Sequence, residues 1–176
     1  MSGQIRVGEH QGVYVIRFSG DVRLTLSAPF DHYVASMFDD PQFASIVIDL
    51  SEAKAVDSTS LGVLANLSLT MQSLRGKLPL LVCESRDLLR ILTNMGFDDI
   101  FAIVDEQFDF ANGLAELPMA HDLDERTLRE RVIQAHQTLM QLNESNREVF
   151  KSLVEALEQE GVAAPATPPF RRRHGG

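Results

Sequence analysis

SIVIDLSEAKAVDSTSLGVLANL, residues 45–67, changes from a strand pattern to a helix pattern within one short segment. SIVIDL, residues 45–50, is a short apolar run of the kind found in strands buried on both faces. Leu61, Leu64, Leu67, Met71 and Leu74 then recur at helical spacing, and Gly76 is placed to end that helix. Between the two patterns stand four side chains in a row that can cap a helix: Asp57, Ser58, Thr59 and Ser60. A helix needs only one N-cap. The spacing alone leaves two readings open. All four are cap and turn residues, or one hydroxyl is free at a helix N-terminus, where unpaired N–H groups and the helix dipole favour phosphate.

Working outward, QIRVGE and VYVIRFSG read as two antiparallel strands around a turn at Gln11 and Gly12. SAPFDHYVASMF reads as a helix with Ser27 as N-cap, Pro29 in the first turn and Phe30, Val34 and Met37 on one face. LPLLVC at 78–83 and DIFAIV at 99–104 are further strands. A helix starting at Ser85, with Leu88, Leu89, Leu92 and Met95 inward, lies between them and stops at Gly96. QFDFANGLAEL is expected to be a short covering helix. Alternation of strand and helix from residue 45 to 104 implies a mostly parallel sheet with right-handed crossovers. The two N-terminal strands make it mixed. The expected fold class is α/β, a sandwich domain over residues 1–117.

Residues 121–160 contain no Gly or Pro. Leu128, Val132, Ala135, Leu139, Leu142, Asn146, Val149, Leu153 and Ala156 alternate spacings of four and three, a heptad seam. Either a helix or helical hairpin packs back on the domain, or the segment forms a coiled coil with itself or a partner. The expected organisation is a helical extension at 118–160 and a disordered tail at 161–176.

Bulk properties narrow the function. The net charge of -9 disfavours nucleic acid as a partner, because binding it relies on basic surface that displaces counterions. Arg171, Arg172 and Arg173 form one basic cluster, in the tail. No apolar run approaches the roughly 18 residues of a membrane span. The opening residues lack the pattern of a secretory signal. Cys83 is the one cysteine, so it has no internal disulfide partner, and a cytoplasmic protein with a buried thiol is expected. No cofactor or metal site is expected. His10, His32, His121, His136 and His174 have no metal-ligand spacing, and neither a P-loop nor a Gly-x-Ser-x-Gly elbow is present. A hydrolase centred on Ser58 would need a histidine base that the sequence does not point to. Asp49 ends a strand like a phosphoacceptor aspartate, but the acidic pair and late lysine of a receiver domain are missing.

Phe-Ser-Gly-Asp at 18–21, Val-Ile-Asp-Leu at 47–50, Val-Asp-Ser-Thr-Ser-Leu-Gly at 56–62 and Leu-Leu-Arg-Ile-Leu-Thr-Asn-Met-Gly-Phe at 88–97 occur in that order. This series resembles the STAS-domain anti-sigma factor antagonists, over about residues 4–116. The extension is similar to that of the longer antagonists of motility and biofilm circuits. The resemblance implies that Ser58 is a phosphoacceptor and that the chain is not an enzyme. It also implies that Asp21, Asp57, Thr59, Ser60 and Gly62 lie at the partner surface. The implied partners are an anti-sigma factor, the flagellar type among the candidates, a serine kinase and a PP2C-type phosphatase. A second signalling partner could use the C-terminal helix. Ser60 departs from the family pattern, which usually has glycine there. In this reading Thr59 or Ser60 caps the helix, Asp57 shapes the turn and Ser58 is the switch. The alternative is an unphosphorylated scaffold subunit of a signalling complex, in which the heptad helix carries the function.

Overall fold

The computed structural model describes residues 3–23, 28–106, 113–118 and 123–162. Strand β1 (Gln4–His10) turns into β2 (Val13–Val22) through Gln11 and Gly12, both at positive φ (52° and 83°). That geometry matches the right-handed twist of a two-residue hairpin. A side chain at Gly12 would also strike the Gln42 carbonyl. Helix α1 (Ala28–Asp39) crosses to β3 (Ser45–Val56), which pairs parallel with β2. Helix α2 (Ser58–Arg75) leads to β4 (Leu80–Val82), and α3 (Arg86–Asn94) to β5 (Ala102–Val104), each strand parallel to the one before. Strand β6 (Ala115–Leu117) returns to pair antiparallel with β1. The sheet order is β5-β4-β3-β2-β1-β6. This is the expected mixed α/β sandwich. The Ser27 cap falls outside the described residues.

Side-chain alternation divides the sheet. Ile16, Phe18, Ile46, Ile48, Leu50 and Leu81 share one core with Phe30 and Met37 of α1, Leu64 and Met71 of α2 and Leu92 of α3. On the opposite face, Val15, Val47 and Val82 form a smaller cluster. Asp49 is buried and accepts from Arg17 Nε at 2.8 Å and from the Ser51 backbone at 2.9 Å. Its carboxylate is thus committed to the sheet.

Two expectations are corrected. Residues 115–117 are a strand, not part of a covering helix, because the edge of β1 offers backbone partners that outweigh local propensity; residues 107–112 lie outside the described ones. DIFAIV is strand only at Ala102–Val104, since Phe97–Asp99 form a tight helical turn that buries Phe97. For the heptad seam, the structure takes the helical hairpin, one of the readings left open. The seam folds into α4 (Glu125–Leu142) and α5 (Glu144–Val162), with Asn143 extended between them.

That break has a polar cause. Asn143 Oδ1 accepts from the Asn146 backbone N–H at 2.8 Å, capping α5. Its amide donates to the Asn94 carbonyl, and Asn146 Nδ2 donates to the Met95 and Leu139 carbonyls, both at 2.8 Å. The turn of the hairpin is therefore fastened to the C-terminal end of α3. Beyond it the buried face of α5 shifts to Asn146, Phe150 and Val154, while the seam residues Val149 and Leu153 are exposed. The hairpin packs back on the domain through α4, which lies against α2.

Candidate functional site

Strand β3 continues past SIVIDL to Val56, held by β2, so the chain passes directly from the carboxyl end of β3 into α2. Asp57, not Thr59 or Ser60, is the N-cap: its backbone is extended and its carboxylate accepts from the Ser60 N–H at 2.7 Å. The cap position has β-region dihedrals, which only the residue leaving the strand provides. Ser58 is consequently the first helical residue. Ser60 is fully buried, and its hydroxyl donates to the Val22 carbonyl at 3.3 Å. Thr59 is also buried. Asp21 is exposed at the end of β2, paired in register with Ala55.

Sequence reasoning missed His136. Its Nε2 lies 2.8 Å from Ser58 Oγ, and its Nδ1 lies 2.7 Å from the Val132 carbonyl one turn back in α4. A carbonyl can only accept, so in the neutral ring Nδ1 carries the proton and Nε2 accepts from the Ser58 hydroxyl. The ring is 1% exposed and meets Phe150 edge-on at 4.9 Å between centroids. His136 follows the seam residue Ala135, which hinted at an inward face, but nothing local pointed to Ser58, 78 residues away.

The contact is built on a close helix crossing. Gly62, one turn into α2, is buried against α4, and a Cβ there would come within 2.2 Å of the Ala135 carbonyl oxygen. Small residues at a crossing let backbones approach closely. Beside it, a cavity of about 220 Å³ lies among α1, α2 and α4, lined partly by Phe30, Val34, Gly62 and Asn66, with the Arg131–Asp31 ion pair at its wall. Burial lowers the Arg131 guanidinium from its ordinary value. Neither Ser58 nor His136 lines this cavity. The structure thus gathers Asp57, Ser58, Thr59 and Ser60 at one helix start, with Asp21 on the neighbouring strand end. It puts Gly62 beneath the hairpin.

The STAS domain family model matches residues 4–111, more than half of the chain and all of β1 through β5. The chain belongs to the STAS domain family. The hairpin α4–α5 lies beyond the STAS match. Solved structures similar to this STAS chain include the unphosphorylated form of the anti-sigma factor antagonist SpoIIAA. It is 12% identical, covers 58% of this chain and 89% of that one, and has a TM-score of 0.49. An anti-sigma factor antagonist from Mycobacterium paratuberculosis is 22% identical, covering 60% of this chain and 87% of that one, with a TM-score of 0.48. No curated protein matches. Among the described residues, no helix is long and apolar enough to cross a membrane, and no group of metal-ligating side chains is assembled.

Proposed function

We propose that this STAS protein is an anti-sigma factor antagonist switched by phosphorylation of Ser58. The unphosphorylated chain would bind an anti-sigma factor and so release a sigma factor, with a serine kinase and a PP2C-type phosphatase setting the balance. The observation that carries this reading is the position of Ser58. Its hydroxyl takes no part in the cap, because Asp57 does the capping, and it stands at the carboxyl end of a central strand, where open α/β sheets gather functional groups. Asp57 and the exposed Asp21 supply acidic surroundings. A phosphoserine adds about -1.5 to -2 charges. A partner carboxylate about 6 Å away would then be repelled by about 3 kcal/mol per unit charge at an effective dielectric near 20. A hundredfold loss of affinity needs about 2.7 kcal/mol.

A non-enzymatic role fits the same geometry. Ser58 has a histidine neighbour, but that histidine is oriented by a backbone carbonyl and is closed off from solvent. The second reading, an unphosphorylated scaffold, draws on the hairpin that covers this region.

Phosphopeptide mass spectrometry on the protein from its own cells, followed by capture with Ser58→Ala and Ser58→Glu baits, tests the switch. The expected result is condition-dependent phosphate on Ser58, with an anti-sigma factor retained by Ser58→Ala and lost by Ser58→Glu. Ser58 unmodified in every growth condition would remove the switch and favour the scaffold.

A further inference from the structure

We propose that the α4–α5 hairpin is a lid seated on the Ser58 face of α2, and that a phosphate on Ser58 and the seated lid exclude each other. This rests on the reading of Ser58 as the phosphoacceptor and adds the part that responds to it.

Three independent contacts define the seat. Ser58 donates its hydroxyl to His136. Gly62 receives the α4 backbone at a separation that no side chain would permit. Asn143 and Asn146 fasten the hairpin turn to the end of α3. Phe150 backs the His136 ring from α5, so the two helices close on the site together.

Phosphorylation removes the first contact and opposes what is left of it. The ester oxygen has no proton to donate, so the Nε2 of the neutral ring loses its partner. The phosphoryl group must fit where a ring nitrogen stands 2.8 Å from Oγ. Its charge also arrives at a helix start whose Ser60 N–H is already taken by the Asp57 carboxylate. Phosphate thus meets a like charge where an uncapped helix would have offered a donor. Undocking α4 relieves these conflicts and leaves every strand pairing in place, because the hairpin adds no strand to the sheet, while Leu139 and Phe150 leave the shared core.

The coupling is reciprocal. Whatever draws the hairpin away frees the Ser58 hydroxyl from His136, and whatever keeps it seated holds that hydroxyl and buries Gly62. A partner that needs this face binds with an affinity reduced by the fraction of chains whose lid is open.

The test is hydrogen exchange on the full-length chain carrying phosphoserine at position 58, installed during translation, beside the unmodified chain and Gly62→Ala. The added methyl group meets the α4 backbone at Ala135 and opens the lid without any charge. The expected result is exchange at least tenfold faster across α4 and α5 in both altered chains, with β2, β3 and β4 unchanged. Protection of α4 kept or increased by the phosphate overturns the proposal, because the phosphate would then coexist with the seated hairpin. Exchange rising equally in the strands overturns it too, because the hairpin would not be a separable lid. The installed phosphate makes this result independent of any cellular kinase, so failure of the lid and failure of the phosphoswitch are distinguishable.

Discussion

Asp57 and Ser58 are adjacent residues with different structural duties. Asp57 satisfies an N–H that α2 would otherwise leave unpaired. Asp57→Ala should therefore destabilise the protein by about 1 kcal/mol, seen as a lower urea midpoint. Ser58→Ala leaves the cap in place and strips the buried His136 Nε2 of its partner. Its expected cost is about 1–3 kcal/mol, and it should fall to near zero when measured in a His136→Phe background. Equal costs in both backgrounds would mean that the Ser58–His136 bond contributes nothing. The run Asp-Ser-Thr-Ser, the helix start and the candidate hydroxyl are legible in the sequence because they are local. The identity of the cap is not legible there, because three neighbours have suitable chemistry and only the backbone path out of β3 chooses among them.

At the scale of elements, the hairpin is held by fit and by polar fastening. Gly62→Ala puts a methyl group into the α4 backbone and should cost about 1–3 kcal/mol, with α4 exchanging faster in hydrogen-exchange experiments. Asn146→Ala breaks the bonds to the Met95 and Leu139 carbonyls and leaves both acceptors, the second of them buried, short of a donor. Its expected cost is about 1–3 kcal/mol by chemical denaturation. An unchanged midpoint would show that the turn is not fastened. The heptad spacing was a real signal of amphipathic helix. It could not tell a coiled coil from a hairpin because both bury a stripe of the same period. The sign of the break was Asn143 followed by Glu144, a cap and an acidic first turn, in a segment without Gly or Pro.

Across the whole molecule, pH should act through the tie between β2 and the end of α1. Tyr14 donates its hydroxyl to the Asp40 carboxylate. That hydrogen bond, then the Gln42 backbone N–H, holds Asp40 below its ordinary value. The same bond, with burial, raises the Tyr14 phenol well above its own. The Asp40 contribution is present above the ordinary carboxylate pKa and is lost as pH falls through the lowered value. The Tyr14 contribution is present below the ordinary phenol pKa and is lost as pH rises through the raised one. Tyr14→Phe should hence lower the urea midpoint by a constant amount between about pH 5 and 9, with the difference shrinking at either end. A difference that does not change with pH would remove this tie as the cause.

By itself the sequence determined the α/β sandwich, the mixed sheet and the place where β3 hands over to α2. Those follow from the hydrophobic period and turn chemistry of contiguous residues, which any chain with this pattern must satisfy locally. Tertiary structure alone decided that Asp57 caps, that 115–117 joins the sheet and that the C-terminal helices return to cover Ser58. Each of those outcomes depends on a partner distant in the chain: the Val22 strand end, the edge of β1, and Ser58 with Gly62 for His136 and Ala135. Local propensity holds no record of such partners, because they come within reach only once the core has assembled.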